Sequence, residues 1–178
     1  KQVKKVDLII LATTAKPEDK VLLKLAKQYG IKSFAGSEND VLDRYYQTAR
    51  KFKVQTIIRL TGDCPLLDPR LISQGLVIFL KARGKLDFVA FDPSYPDGLD
   101  FDIFSFEALT KAWREAKLPS ERGHVATYMY KNPNPKLFKV KTIKPHRPSL
   151  NHLRWTLDRP ADLILIRNRQ RRRSSPIS

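Results

Sequence analysis

The chain is poor in most features that mark specialised protein classes. A single cysteine, Cys64, in 178 residues excludes an internal disulfide framework and fits a reducing compartment, so a cytoplasmic protein is expected. No apolar run approaches the roughly 18 residues that a membrane-spanning helix needs. Lys1 to Lys5 lacks the apolar stretch of a secretory leader. Seven glycines and 12 prolines exclude a collagen-like or linker-dominated chain. No Cys/His pair has zinc spacing, and no Walker, Gly-x-Ser-x-Gly or Gly-x-Gly-x-x-Gly motif occurs.

Acidic residues are also scarce. Eighteen Asp and Glu face 34 Lys and Arg, a net charge of +16. The excess sits at the two ends: +7 over residues 1–60, +1 over 61–139 and +8 over 140–178. A basic surface concentrates polyanions, either nucleic acid or nucleotide phosphates, and also serves plain solubility. With 42 % hydrophobic residues the chain can build one ordinary domain with a substantial core.

The pattern is strand–helix alternation. Val6–Thr14 reads as a strand buried on both faces, followed by a helix that Pro17 opens and Gly30 stops. Ile31–Ala35 is a short strand. Ser37 can cap a helix running to about Phe52, and Val54–Thr61 is the next strand. Asp68-Pro69 opens a helix to about Arg83, and Asp87–Phe91 is again a strand. Short links between such units imply an α/β fold, a mostly parallel sheet with helices on both faces. Further on, Phe101–Phe106 is expected as a strand, Phe106–Ala116 and Ser120–Tyr130 as helices ahead of Pro133 and Pro135, Leu137–Ile143 and His152–Leu157 as strands, and Pro160 to about Arg167 as a helix. The domain is expected to span residues 1–167. Residues 168–178, with four arginines, are expected to be a disordered or lattice-ordered basic tail.

In an open parallel sheet, ligands bind beyond the carboxyl ends of the strands. Thr61-Gly62-Asp63-Cys64-Pro65 puts a carboxylate there. Gly62 permits close approach, and Pro65 holds Cys64 extended and so aims Asp63. A hard cation such as Mg²⁺ needs few carboxylates beside phosphate oxygens and water, whereas an ordinary turn would use Asp63 on its own backbone. Cys64 reads as a small buried hydrophobe. Asp158 likewise follows an apolar run and precedes Pro160, a position that also suits simple helix capping. Tyr95–Asp100 is either a sugar-binding loop or a plain turn. Arg122, His124, His152 and Arg154 could bind a carboxylate or phosphate. Ser37, Asp40 and Arg44 read equally well as a helix cap or as a nucleotide-facing edge.

Several blocks occur in one order: Ala12-Thr13-Thr14, Gly36 through Tyr46, Arg59-Leu60-Thr61-Gly62-Asp63-Cys64-Pro65-Leu66, Tyr95-Pro96-Asp97-Gly98-Leu99-Asp100, Phe104 through Leu109, and His152 through Asp158. With these, residues 6–167 resemble the spore coat polysaccharide biosynthesis protein F family, within the acylneuraminate cytidylyltransferase group. The resemblance implies a three-layer Rossmann-like fold of the nucleotide-diphospho-sugar transferase type. It implies transfer of CMP from CTP to a sugar acid, with pyrophosphate leaving. Asp63 and Asp158 would bind Mg²⁺. Ser37, Asp40, Arg44, Thr61 and Gly62 would face the nucleotide, and Asp97, Asp100, Arg122, His124, His152 and Arg154 the sugar. A homodimer is compatible with it.

Two departures from the family pattern stand out. The family opens with a strand and a phosphate loop of the type Arg-x-Gly-Ser-x-Arg-Leu-Pro-x-Lys, and nothing like it occurs here. The chain is therefore expected to be N-terminally truncated, a fragment or a chain unable to turn over alone, with two sheet edges open. Gly123 also stands where the Glu-Arg-x-His segment would carry Glu. Two further readings compete: a metal-dependent glycosyltransferase of related fold using Asp63, and a basic nucleic-acid- or polyanion-binding module, which the lack of stacking aromatics near the basic tail makes the least favoured.

Overall fold

A computed structural model describes residues 2–130, 137–145 and 149–174. The chain alternates as its apolar periodicity dictates. Strand β1 (Ile10–Thr14) leads through a short 3₁₀ turn to helix α1 (Lys20–Gln28) and strand β2 (Lys32–Gly36). Helix α2 (Val41–Lys51), strand β3 (Thr56–Arg59), helix α3 (Pro69–Lys81) and strand β4 (Phe88–Phe91) follow. Then come strand β5 (Asp102–Ser105), helix α4 (Phe106–Glu115), two single-turn helices α5 (Pro119–Arg122) and α6 (Thr127–Tyr130), strand β6 (Val140–Ile143) and helix α7 (Pro160–Ser174).

The strands form two sheets. β1 and β2 pair in parallel, with Ile10 opposite Lys32 and Thr14 opposite Gly36. The other four are ordered β3-β5-β4-β6. β5 is antiparallel to both neighbours, and β4 and β6 are parallel. β3, β4 and β6 thus share one direction, and β5 alone opposes them. The expected α/β fold is present with mixed sheets: the β1–β2 and β4–β6 pairings are parallel, and the two made by β5 are antiparallel.

Alternation along the strands supplies both layers of core. Phe88 and Phe104, opposite each other with rings 6.0 Å apart, face α2, α4 and α6, where Leu42, Leu109, Ala112, Val125 and Met129 are buried. Val89 and Ile103, one residue along, face α3 through Ile72, Leu76 and Phe79.

The departures from expectation have local causes. The run from Val6 becomes strand only at Ile10, and Val6, Leu8 and Ile9 are 39, 42 and 51 % exposed. A strand buried on both faces needs neighbours on both edges, and among the described residues β1 pairs only with β2. Asp40, rather than Ser37, caps α2, its carboxylate accepting from the Asp43 amide at 2.8 Å. The helix expected over Ser120–Tyr130 breaks into α5 and α6 around Gly123. Pro133, Pro135 and residues 175–178 lie outside the described residues. α7 continues from Pro160 to Ser174, across the expected tail boundary at 167.

His152–Leu157 is not a strand. It is a loop that docks backbone-first onto two others: Arg154 bridges to Asp97, the Trp155 amide donates to the Asp97 carbonyl at 2.7 Å, and the Leu157 amide donates to the Asp63 carbonyl at 2.7 Å. Gly98 makes this approach possible. Its φ is +94°, and a Cβ there would lie 2.6 Å from the Trp155 carbonyl carbon and 2.7 Å from the Thr156 nitrogen. Gly98→Ala should therefore lower stability by more than about 2 kcal/mol in urea unfolding. Gly84→Ala, at φ +79° in open space, should cost only about 1 kcal/mol of backbone strain. Equal losses for the two would refute the close approach at Gly98.

Candidate active site

Three loops meet beyond the sheet: Thr61–Pro65 after β3, Tyr95–Asp100 before β5, and Arg154–Asp158 before α7. The first is a tight turn, closed by the Cys64 amide donating to the Thr61 carbonyl at 3.2 Å. The Thr61 hydroxyl donates to Cys64 Sγ at 3.1 Å, and that thiol contacts Asp63 Oδ1 at 3.7 Å. Cys64 is buried, and burial, with Asp63 and Asp100 nearby, pushes its thiol up to about 11. A thiol so poor in thiolate packs rather than attacks. Gly62 and Asp63 are exposed, so the turn presents its carboxylate outward.

The Asp63 turn and the segment before Asp158 are joined by the Leu157–Asp63 backbone bond, so two acids 95 positions apart stand on adjoining loops. The Asp158 carboxylate is engaged. It accepts from Arg154 Nη1 at 2.8 Å and from the Thr156 hydroxyl at 2.6 Å. Arg154 also reaches Asp162 at 2.6 Å, and Asp162 accepts the Asp158 and Arg159 amides, which caps α7. Arg154 thus serves the protein's own acids. Among the described residues no three His, Cys, Asp or Glu side chains gather in a way that could hold a metal ion by themselves.

Asp97 and Asp100 are exposed on the middle loop. Partial burial and the neighbouring Asp97 carboxylate raise the Asp100 carboxyl above its ordinary range. His124 and His152 are exposed on separate loops. At the end of β2, Ser37 Oγ accepts the Asp40 amide at 3.0 Å, and Arg44 donates back to the Ser37 carbonyl. Asp40 is further bound by Arg122, joining one residue expected to face the nucleotide to one expected to face the sugar.

One residue at this end of the sheet escaped the sequence reading. Arg59 pairs with Asp102 across β3 and β5 at 2.7 Å, and its Nε is buried without a hydrogen-bond partner. Burial raises the Asp102 carboxyl, and Arg59 opposes that rise. The signal was legible: an arginine closing an otherwise apolar strand run is costly unless it has a partner.

The cytidylyltransferase family profile matches residues 1–168. This chain belongs to the cytidylyltransferase family. It is 42 % identical over 145 residues to an uncharacterized protein of Methanocaldococcus jannaschii, covering 82 % of this chain and 58 % of that protein. It is 29 % identical over 163 residues to the spore coat polysaccharide biosynthesis protein SpsF of Bacillus subtilis, covering 90 % and 66 %. A cytidylyltransferase structure from Leptospira borgpetersenii superimposes with a TM-score of 0.80 at 31 % identity, over 86 % of this chain and 64 % of that one. A CMP:2-keto-3-deoxy-manno-octonic acid synthetase complexed with CTP shares the fold, with a TM-score of 0.68 at 16 % identity over 97 % and 84 % of the two chains. The chain therefore spans less than two thirds of the two curated relatives it matches. No helix among the described residues is long and apolar enough to cross a membrane.

Within this cytidylyltransferase-family chain, the Arg154 hydrogen bond holds the Asp162 carboxyl below its ordinary range. A depressed carboxyl lends stability that is complete above its unfolded value of about 3.9 and is lost as pH falls through the lower folded value. NMR titration should find Asp162 ionising below about 3.9, and Arg154→Gln should return it toward that value. No movement in the variant would show that Arg154 is not the cause.

Proposed function

We propose that the protein containing this chain transfers CMP from CTP to a 2-keto sugar acid, a precursor of surface polysaccharide, within the acylneuraminate group of the family. The carrying observation is the hydrogen bond from the Leu157 amide to the Asp63 carbonyl, which brings the loops that carry Asp63 and Asp158 together beyond the sheet. The similarity to a polysaccharide biosynthesis protein supports the pathway class, and the shared fold with a CTP-bound synthetase supports the donor.

The donor set suits Mg²⁺. Asp63 and Asp158 offer hard carboxylate oxygens at the surface, and their small number leaves the remaining positions to water and phosphate oxygens. Asp63 and Asp158 would hold the ion, which when bound offsets triphosphate charge as the sugar hydroxyl attacks the α-phosphorus and pyrophosphate leaves. The Arg154–Asp158 pair holds Asp158 in place beforehand and must loosen for both its oxygens to face outward. Thr61 and Gly62, at the carboxyl end of β3, and the turn at Ser37 would line the nucleotide side. Asp97, Asp100, His124 and His152 are the polar groups offered to the sugar. The reaction is an in-line displacement, so no protein nucleophile is required, in keeping with the inert Cys64 thiol.

The open edges of β1 and β3 fit a further strand between them, continued by a phosphate loop, as the resemblance implies. β1 and β3 belong to different sheets, and apolar residues near both, Ile9 and Leu60, are exposed. That loop would supply the donors for the triphosphate.

The complete protein should release pyrophosphate from CTP only when Mg²⁺ and a 2-keto sugar acid are both present. Asp63→Asn should lower kcat at least about 100-fold with an unchanged thermal midpoint, because the side chain is exposed and charged groups at such centres contribute several kcal/mol. Undiminished turnover in the variant would defeat this function.

A further inference from the structure

Arg122 stands in the segment that the resemblance assigns to the sugar, and its geometry says otherwise. A guanidinium carries donors on three nitrogens. Nε and Nη2 of Arg122 both donate to Asp40 Oδ2, at 2.9 and 2.5 Å, and Nη1 donates to the Trp113 carbonyl at 2.8 Å. All three nitrogens are committed within the protein, and the side chain is only 23 % exposed.

Asp40 is equally occupied. Its other oxygen, Oδ1, accepts the Asp43 amide at 2.8 Å and so starts α2. The next shell closes on itself. Asp43 Oδ1 accepts the Trp113 indole N–H at 2.7 Å and the Gln47 amide at 3.0 Å. The Trp113 ring stacks on Tyr46 at 4.1 Å with planes 12° apart, and Tyr46 stacks on Phe106. One arginine of α5 thus ties the N-terminus of α2, 82 residues upstream, to the end of α4. Just before Asp40 lies the Ser37 turn, whose hydroxyl takes the Asp40 amide.

We propose that Arg122 is a positioning residue that fixes the Ser37–Asp40 turn through Asp40, and that it does not bind the sugar acid's carboxylate. The consequence for turnover rests on the cytidylyltransferase reading above, in which that turn lines the nucleotide side. Two charge-assisted donors of one planar guanidinium converging on a carboxylate oxygen fix geometry as well as adding energy, and lysine, a flexible point charge, does not reproduce that fork.

The test is a double-mutant cycle in the complete protein with Asp40→Asn, Arg122→Gln and both together, read by amide hydrogen exchange over residues 37–44 and by steady-state kinetics with CTP and a 2-keto sugar acid. Asn keeps the cap acceptor while removing the charge, so Asp40→Asn folds if Arg122→Gln does not. Each single variant should speed exchange in the turn about 10-fold and raise KM for CTP by a similar factor, with the double variant no worse than either single. Arg122→Lys should recover only part of the loss. Unchanged exchange in Arg122→Gln with a rise confined to KM for the sugar would overturn the proposal, and so would strictly additive losses in the double variant. If even the unaltered protein shows no nucleotidyl transfer, the functional reading fails by itself, and the exchange measurement still decides the role of Arg122.

Discussion

The proposed reaction depends on how closely the Arg154–Asp158 loop can approach the turns beyond the sheet. Two backbone bonds of 2.7 Å fix it, one to the Asp97 carbonyl and one to the Asp63 carbonyl. Such bonds do not depend on side-chain identity, so they hold the loop whatever acids it carries. They require a partner chain that can come within backbone contact, and Gly98 supplies it. Three segments far apart in the sequence thereby meet beyond the sheet. In an α/β sheet the strand ends are where unsatisfied backbone groups and variable loops coincide. The loops here are stitched to each other rather than left to solvent, so a carboxylate on any of them is held within a defined space.

The charge distribution gives that region its character. The chain is strongly basic, yet the segment holding Asp63, Asp97, Asp100 and Asp102 is nearly neutral, at +1 over residues 61–139. Within that region the acids outnumber their partners. Arg59 is committed to Asp102, and Arg154 is divided between Asp158 and Asp162. Asp100, left among like charges and partly buried, responds by holding its proton more tightly. In the function proposed above, this local excess of carboxylates would favour a cation. The basic excess elsewhere on the chain would favour a polyanion such as a nucleoside triphosphate in that same function. The two signs are complementary parts of one device, one local and short-range, the other spread over the molecule and screened by salt.

Much of this was legible in the sequence because the elements obey simple periodicities. The paired run Phe88-Val89 against Ile103-Phe104 splits neatly between two cores, as period-two alternation requires. Pro69 and Pro160 each opened a helix as their fixed φ dictates. What failed did so where long-range contacts decide. His152–Leu157 has strand-like composition, but it finds a single bridge to Asp97 instead of a ladder. Ser37 and Asp40 are both good caps, and the one that caps α2, Asp40, is also bound by Arg122, 82 residues away. Asp63 could be named from its place after β3, and Asp158 from its place before the Pro160 helix, although the strand expected ahead of it is a loop. That the arginines near them were already bound to other acids could not, because ion-pair partners are fixed by tertiary distance and leave no local signature.

The split between the β1–β2 pair and the four-stranded sheet follows from the same reasoning. Val6–Thr14 carries the composition of a strand meant to be covered on both faces, yet its first apolar residues are about half exposed. Exposed edges with apolar flanks are normally blunted by charge, proline or a bulge. Here Asp7 is the only charged residue between Val6 and Ile10, and it stands before the strand begins. A chain selected to leave this edge bare would show more such protection. The edge is instead built like an interior strand, as the continuous apolar run Leu8–Leu11 requires. α2 contacts both β1 and β2, and its Leu42, Tyr46 and Ala49 share a core with Phe88 and Phe104 of the four-stranded sheet, so one helix bridges the two sheets.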